Sequence, residues 1–146
     1  MRTVDVPLVL DPGATAPRYA MPGDAGTDLA TTVDVHLEPG RRALVPTGVR
    51  VAVPEGCVGL INPRSGLAAR TGLSIVNAPG TIDSGYRGEL KVLLVNTDPD
   101  RPVDLAAGDR IAQLVILPVM TARFIPVEEL PETPRGESGY GSTGVS

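Results

Sequence analysis

Glycine and proline interrupt this chain so often that no apolar segment offers a sustained helical face: 17 Gly and 15 Pro fall among 146 residues. Short Val, Leu and Ile runs between such turns, without a long period of 3.6, predict an all-β sandwich or barrel-like fold in which helix is minor. The length suits one domain with a true core. Gly and Ser dominate only near the end, so residues 1–130 read as the domain and 131–146 as a flexible arm.

Strand chemistry recurs over residues 4–10, 32–37, 43–45, 49–53, 57–61, 73–77, 89–95, 103–105 and 110–117, with a last strand expected over 123–130 around the sole Phe, Phe124. Val33, Val35 and Leu37 share one face and Asp34 and His36 the other, so His36 reads as a solvent-facing strand residue. Residues 24–28 read as turn-rich, with Ala25 and Gly26 small enough for backbones to approach closely. One short helix is predicted, from an N-cap at Ser65 to a stop at Gly72.

Most of the chemistry sits between the strands at 73–77 and 89–95, in a connection punctuated by Pro79, Gly80, Ser84, Gly85 and Gly88. Loops of about a dozen residues in a compact domain are usually functional or disordered, and the apolar Ile82 and aromatic Tyr86 argue against disorder. Asp83 stands between those two residues, a charge beside apolar groups, as a general base would be mounted. The plain alternative is an aspartate that closes a turn with Ser84 and Gly85.

Four other places carry two readings each. Arg64, Ser65 and Gly66 at a helix start could cradle a phosphate or simply cap the helix. Asp28 could hold the water shell of a Mg ion or close a turn. Gln113, inside an apolar strand, either faces water or donates an amide N–H to a ligand. The end of the chain is a loose tail, or else Arg135, Tyr140, Ser142 and Thr143 form a lid that orders on a nucleotide.

A net charge of -4 and a pI near 4.9 argue against a polynucleotide partner, which calls for a strongly basic face. A small anion needs only a few basic residues converging locally. The single Cys57 excludes an intrachain disulfide, and one His leaves no Cys/His zinc cluster. The chain suits a reducing cytosol. Asp5, Pro7 and Asp11 break the apolar start, so no signal-peptide core is expected there, nor a membrane-spanning run anywhere.

Five stretches in order, DAGTDL, PRSGLA, GTIDSGYRGE, GDRIAQL and RGESGYGSTG, resemble the motifs of trimeric dUTP diphosphatases, the dUTPases. Each is weak singly; together, over residues 24–144, they are highly specific, while residues 1–23 match none. The resemblance implies a jelly-roll-like β-clip subunit in a homotrimer, with active sites shared between subunits, in the cytoplasm. It implies that Asp83 activates the water attacking the α-phosphorus of dUTP, giving dUMP and pyrophosphate, so that uracil stays out of DNA and dUMP is supplied for dTMP synthesis. By the same resemblance Asn77, Gly80, Thr81 and Ile82 would meet uracil. Tyr86 would pack on deoxyribose, leaving no room for a 2′-hydroxyl. Arg64, Ser65, Gly66 and Gln113 would bind phosphates, and Lys91 would lie near the nucleotide. Arg135, Gly141, Ser142 and Thr143 would close over the γ-phosphate from a neighbouring subunit, with Tyr140, where the family most often has Phe, stacking on uracil. Mg2+ would be held mainly by the substrate phosphates, with Asp28 reaching it through water.

Two rivals share the fold. A dCTP deaminase needs a glutamate on the strand after the central connection, where this chain has Leu93. A catalytically silent nucleotide-binding trimer is opposed by the intact Asp83, Arg64 and Arg135.

Overall fold

The computed structural model describes residues 3–137. In chain order it contains β1 (Leu8–Leu10), β2 (Thr27–Ala30), β3 (Val35–Leu37), β4 (Arg42–Val51), β5 (Cys57–Asn62), α1 (Ser65–Thr71), β6 (Leu73–Ile75), β7 (Gly80–Ile82), β8 (Glu89–Asn96), β9 (Val103–Leu105) and β10 (Arg110–Pro118). Two four-stranded sheets, ordered β1-β4-β8-β6 and β2-β10-β5-β7, and a β3-β9 ribbon are antiparallel throughout. They enclose one core, to which Leu29, Val45, Ile61, Leu90, Val92, Leu94, Ile111 and Leu114 contribute.

β8 shows why the sequence folds this way. Leu90, Val92, Leu94 and Asn96 alternate with less buried neighbours, the period of 2 that gives a strand one core face. Asn96 belongs to that face because its amide is satisfied there. Its Nδ2 donates to the Leu37 and Arg101 carbonyls at 2.9 and 2.8 Å, and its Oδ1 accepts from Asp98 N at 2.9 Å. The ribbon is thereby tied to the larger sheet at no unpaired polar cost.

The expected strands at 43–45 and 49–53 are one strand. Between the pairs Pro46↔Lys91 and Arg50↔Glu89, three residues of β4 oppose one of β8, so β4 bulges. Gly48 supplies the required φ of 66°. A Cβ there would lie 2.7 Å from that of Ala14, and the Gly48 N–H donates to Glu89 Oε1 at 2.9 Å.

The other departures have equally local causes. Residues 24–28 are not all turn, because Thr27 and Asp28 begin β2 and pair with Leu114 and Gln113. The connection between β6 and β8 is not a simple hairpin loop: β7 leaves that sheet and pairs with β5 in the other. Ser65 is not the N-cap; Arg64 occupies that position without a side-chain capping bond, while Gly72, at φ 69°, ends the helix as expected. Residues 123–130 form no strand, for none of the described residues pairs with them and Phe124 and Leu130 stay 92% and 82% exposed. His36 lies on the ribbon's open face, bonded to Asp104 at 2.6 Å and Glu38 at 3.0 Å.

Candidate functional site

Both ends of β5 carry chemistry. At one end, β7 and the turn after it border a cavity of about 540 Å³ lined by Leu44, Arg50, Thr81, Ile82, Asp83, Tyr86, Glu89, Leu90 and Lys91. Asp83 is exposed, and among the described residues its carboxylate has no hydrogen-bond or ion-pair partner; only its backbone carbonyl is used, by the Tyr86 N–H at 3.0 Å. Tyr86 folds back so that its hydroxyl donates to the Glu89 carbonyl at 3.0 Å. Arg87 braces the same turn, donating to the Ser84 and Tyr86 carbonyls at 2.6 and 2.8 Å.

A narrower recess of about 70 Å³ adjoins this cavity, lined by Asn77, Gly80, Thr81, Ile82 and Lys91 with Ile61, Ile75, Val92 and Leu93. Thr81, Ile82 and Lys91 belong to both spaces. The recess is a slot between β7 and β8, strands of different sheets, where the aliphatic Ile61, Ile75, Ile82, Val92 and Leu93 meet the polar Asn77, Thr81 and Lys91. That is the usual make-up of a small-molecule site. Lys91 lies 3.6 Å from Glu89 Oε2.

At the other end of β5, Asp28 stands between two guanidiniums. Its Oδ1 accepts from Arg64 Nε at 2.8 Å and its Oδ2 from Arg110 Nη1 at 2.9 Å. Arg64 also donates to the Arg110 carbonyl at 3.3 Å. The three side chains together keep one positive charge, set against Asp24 on the wall of the cavity they line, and the guanidiniums supply the planar donor forks that suit a phosphate. Gln113 pairs with Asp28 across the β10–β2 ladder, and both line a cavity of about 300 Å³ with Asp24, Gly26, Arg64 and Arg110. Gly26 keeps this approach close: a Cβ there would lie 3.0 Å from Gln113 Oε1 and 3.3 Å from its Cβ, so the Gln113 side chain would have to give way. Ser65 and Gly66, at the exposed start of α1, follow Arg64 directly.

A single chain does not bring these two groups together. Along β5, Ile61 faces Gly80 and Gly59 faces Ile82, so the chain runs away from Arg64 as it approaches Asp83. At about 3.3 Å per strand residue the separation is on the order of 15–20 Å. Arg135 lies in the exposed turn of residues 134–137. The expectations for Tyr140, Gly141, Ser142 and Thr143 fall outside the described residues.

The sequence reading missed two cations. Arg110 carried a signal, being part of GDRIAQL three positions before Gln113. Arg50 carried none: the register of β4 on β8 places it opposite Glu89 in the cavity wall. Asp11 grips it at 3.1 Å and, chiefly through that hydrogen bond, holds its pKa above the ordinary arginine value.

An antiparallel β domain with an apolar slot, an unpaired carboxylate and a guanidinium cluster defines a class: proteins that take a small phosphorylated ligand. The family model described as dUTPase matches residues 13–144, and the chain belongs to the dUTPase family. It is 69% identical, over 100% of its length and 95% of the relative's, to the deoxyuridine 5'-triphosphate nucleotidohydrolase of Cutibacterium acnes. The enzyme of that name from Nocardia farcinica is 62% identical, over 92% of this chain and 82% of its own. The dUTPase of Staphylococcus bacteriophage 80alpha with dUPNHPP is similar in structure at TM-score 0.90 and 34% identity, covering 98% of this chain and 100% of that one. A mutant dUTPase from phage phi11 of S. aureus, described as coordinating a structural Mg(II) ion, has TM-score 0.79 and 31% identity, over 86% and 98% of the two chains.

Proposed function

We propose that this dUTPase family member splits dUTP into dUMP and pyrophosphate at sites completed by neighbouring copies in a homotrimer. The observation that carries the reading is the separation of the two half-sites along β5, with the unpartnered Asp83 carboxylate at one and the Arg64–Arg110 pair at the other. The Asp83 end holds a free carboxylate, a slot and an aromatic wall; the Arg64 end holds the guanidiniums and the Gln113 amide. A second copy that set its Arg64 end against the first copy's Asp83 end would complete one site. The bare apolar side chains of Met120, 97% exposed, and Phe124, 92% exposed, favour such packing, since a lone chain leaves them in water.

In the completed site Asn77 and the backbone through Gly80, Thr81 and Ile82 receive the uracil edge, and Tyr86 lies against the deoxyribose. Arg64, Ser65, Gly66 and Gln113 bind phosphates, and Lys91 lies near the nucleotide. Asp83 takes a proton from water as its oxygen bonds to the α-phosphorus. The bond from that phosphorus to the bridging oxygen breaks, and pyrophosphate leaves. A positioned general base contributes about 10²- to 10⁴-fold. Guanidiniums fixed before the reaction stabilise charge on the phosphate oxygens as it develops. Residues 131–146 act as the closing arm, with Arg135, Ser142 and Thr143 on the γ-phosphate, Gly141 in the same run and Tyr140 on the base.

The fit of Mg2+ depends on substrate. Among the described residues no group of three or more His, Cys, Asp or Glu side chains could hold a metal ion. Asp28 already gives each oxygen to a guanidinium. So engaged, it would serve the ion by accepting from a metal-bound water, and an ion that keeps several waters would be held mainly by the substrate phosphates. Bound so, Mg2+ would neutralise phosphate charge. A soluble nucleotide substrate makes the cytoplasm the proposed compartment; among the described residues no helix is long and apolar enough to cross a membrane.

The test is release of pyrophosphate and of ammonia from dUTP, dCTP, UTP and dTTP with Mg2+, beside an Asp83→Asn control. Pyrophosphate from dUTP alone is expected. The variant should fold, because that side chain has no partner to lose, and should forfeit about 3–5 kcal/mol of transition-state stabilisation. Undiminished turnover removes Asp83 from the mechanism, and ammonia from dCTP replaces hydrolysis with deamination.

A further inference from the structure

We propose that Gly88 is a positioning residue for sugar selectivity: its missing side chain is the space in which the Tyr86 ring folds back to stand against deoxyribose. The inference rests on the reading of Tyr86 as the wall that rejects a 2′-hydroxyl.

A Cβ built on Gly88 would fall 2.6 Å from Tyr86 Cζ and 3.0 Å from Cε2, with the hydroxyl oxygen nearer still. Real carbon contacts settle at about 3.5–4.0 Å, so an alanine would drive the ring back by about 1 Å. The three nearest atoms to that Cβ all belong to Tyr86, so the ring is the first obstacle it would meet. Gly88 also lies outside the positive-φ positions, so alanine fits its backbone. Retreat by that much also spoils the 3.0 Å bond from the Tyr86 hydroxyl to the Glu89 carbonyl, because a hydrogen bond is largely lost beyond about 3.5 Å.

The consequence reaches the cavity directly. Tyr86 and Asp83 share that wall, and the turn holding them is anchored by the Tyr86 N–H on the Asp83 carbonyl and by Arg87 on the Ser84 carbonyl. Those backbone ties do not involve the ring. Moving the ring therefore changes the room beside the sugar while leaving the carboxylate's turn in place. Gly85, directly before Tyr86 in the chain, is the contrast: a Cβ there would meet nothing within 4 Å.

The experiment compares kcat/KM for UTP and dUTP in the full-length enzyme and in Gly88→Ala, Tyr86→Ala, the double variant and Gly85→Ala. Gly88→Ala should change the UTP-to-dUTP ratio about tenfold, the factor given by roughly 1.4 kcal/mol. Gly85→Ala should leave it unchanged. In the Tyr86→Ala background the same glycine change should add nothing, because the ring it displaces is gone. An unaltered ratio in Gly88→Ala, or a full further change in the double variant, overturns the inference. If Gly88→Ala does not fold, recovery of folding in the double variant supports the ring as the obstacle, and failure to recover overturns it. Tyr86→Ala that still rejects UTP instead refutes the reading of Tyr86 itself, a separate outcome that takes the inference with it.

Discussion

Replacing Asp28 by Asn withdraws one negative charge from between two guanidiniums while keeping the side chain's shape. The Arg64 arm is the stronger, at 2.8 Å with side chains only 22% and 18% exposed. A charge-assisted bond in that setting contributes about 1.5–3 kcal/mol. The Arg110 arm, at 2.9 Å but with Arg110 56% exposed, is discounted for solvent screening to about 0–1 kcal/mol. Asn retains one acceptor oxygen and must turn its amide group, donor against donor, towards the other guanidinium. With the oxygen kept on Arg64, the loss is the whole Arg110 arm and the charge assistance of the first, about 1–2 kcal/mol. Urea unfolding should show this as a lower midpoint with an unchanged slope. Ligand binding separates the phosphate-directed role from a general one. Deoxyuridine, which has no phosphate, should bind as before, whereas dUPNHPP should bind about tenfold more weakly, or roughly 1.4 kcal/mol. Equal weakening of both ligands, or of neither, would show that Asp28 does not work by aiming Arg64 at phosphate.

Truncation before Arg135 should cripple hydrolysis while leaving the subunit assembly intact, measured by pyrophosphate release and by light scattering. Full-speed hydrolysis by the shortened chain ends the arm's proposed role. His36 gives a pH dependence of stability. Hydrogen bonds to Asp104 first and Glu38 second raise its pKa above the ordinary 6.5. The stabilisation is then fully present below the unfolded-state value and lost as pH rises through the higher folded-state value. The melting-temperature gap between the protein and His36→Gln should therefore be widest near pH 5.5 and close towards about pH 8.5. A gap independent of pH contradicts the assignment.

What the sequence determined by itself was whatever depends on near neighbours in the chain. The glycine stop at Gly72, the strand at 89–95 and the exposed face of His36 follow from local φ preference, β-branched and leucine content and a two-residue period, and the structure has each. Family membership was legible for the same reason, since each motif is a contiguous run. Tertiary structure decided what depends on partners distant in sequence. It drew β7 out of an apparent loop onto β5, fused two expected strands across the Gly48 bulge and placed Arg50 beside Glu89. It tied Asp28 to Arg64 and Arg110, separated by 36 and 82 positions. It also left 123–130 unpaired despite its strand chemistry, because a strand is defined by the edge it joins and none among the described residues takes it up.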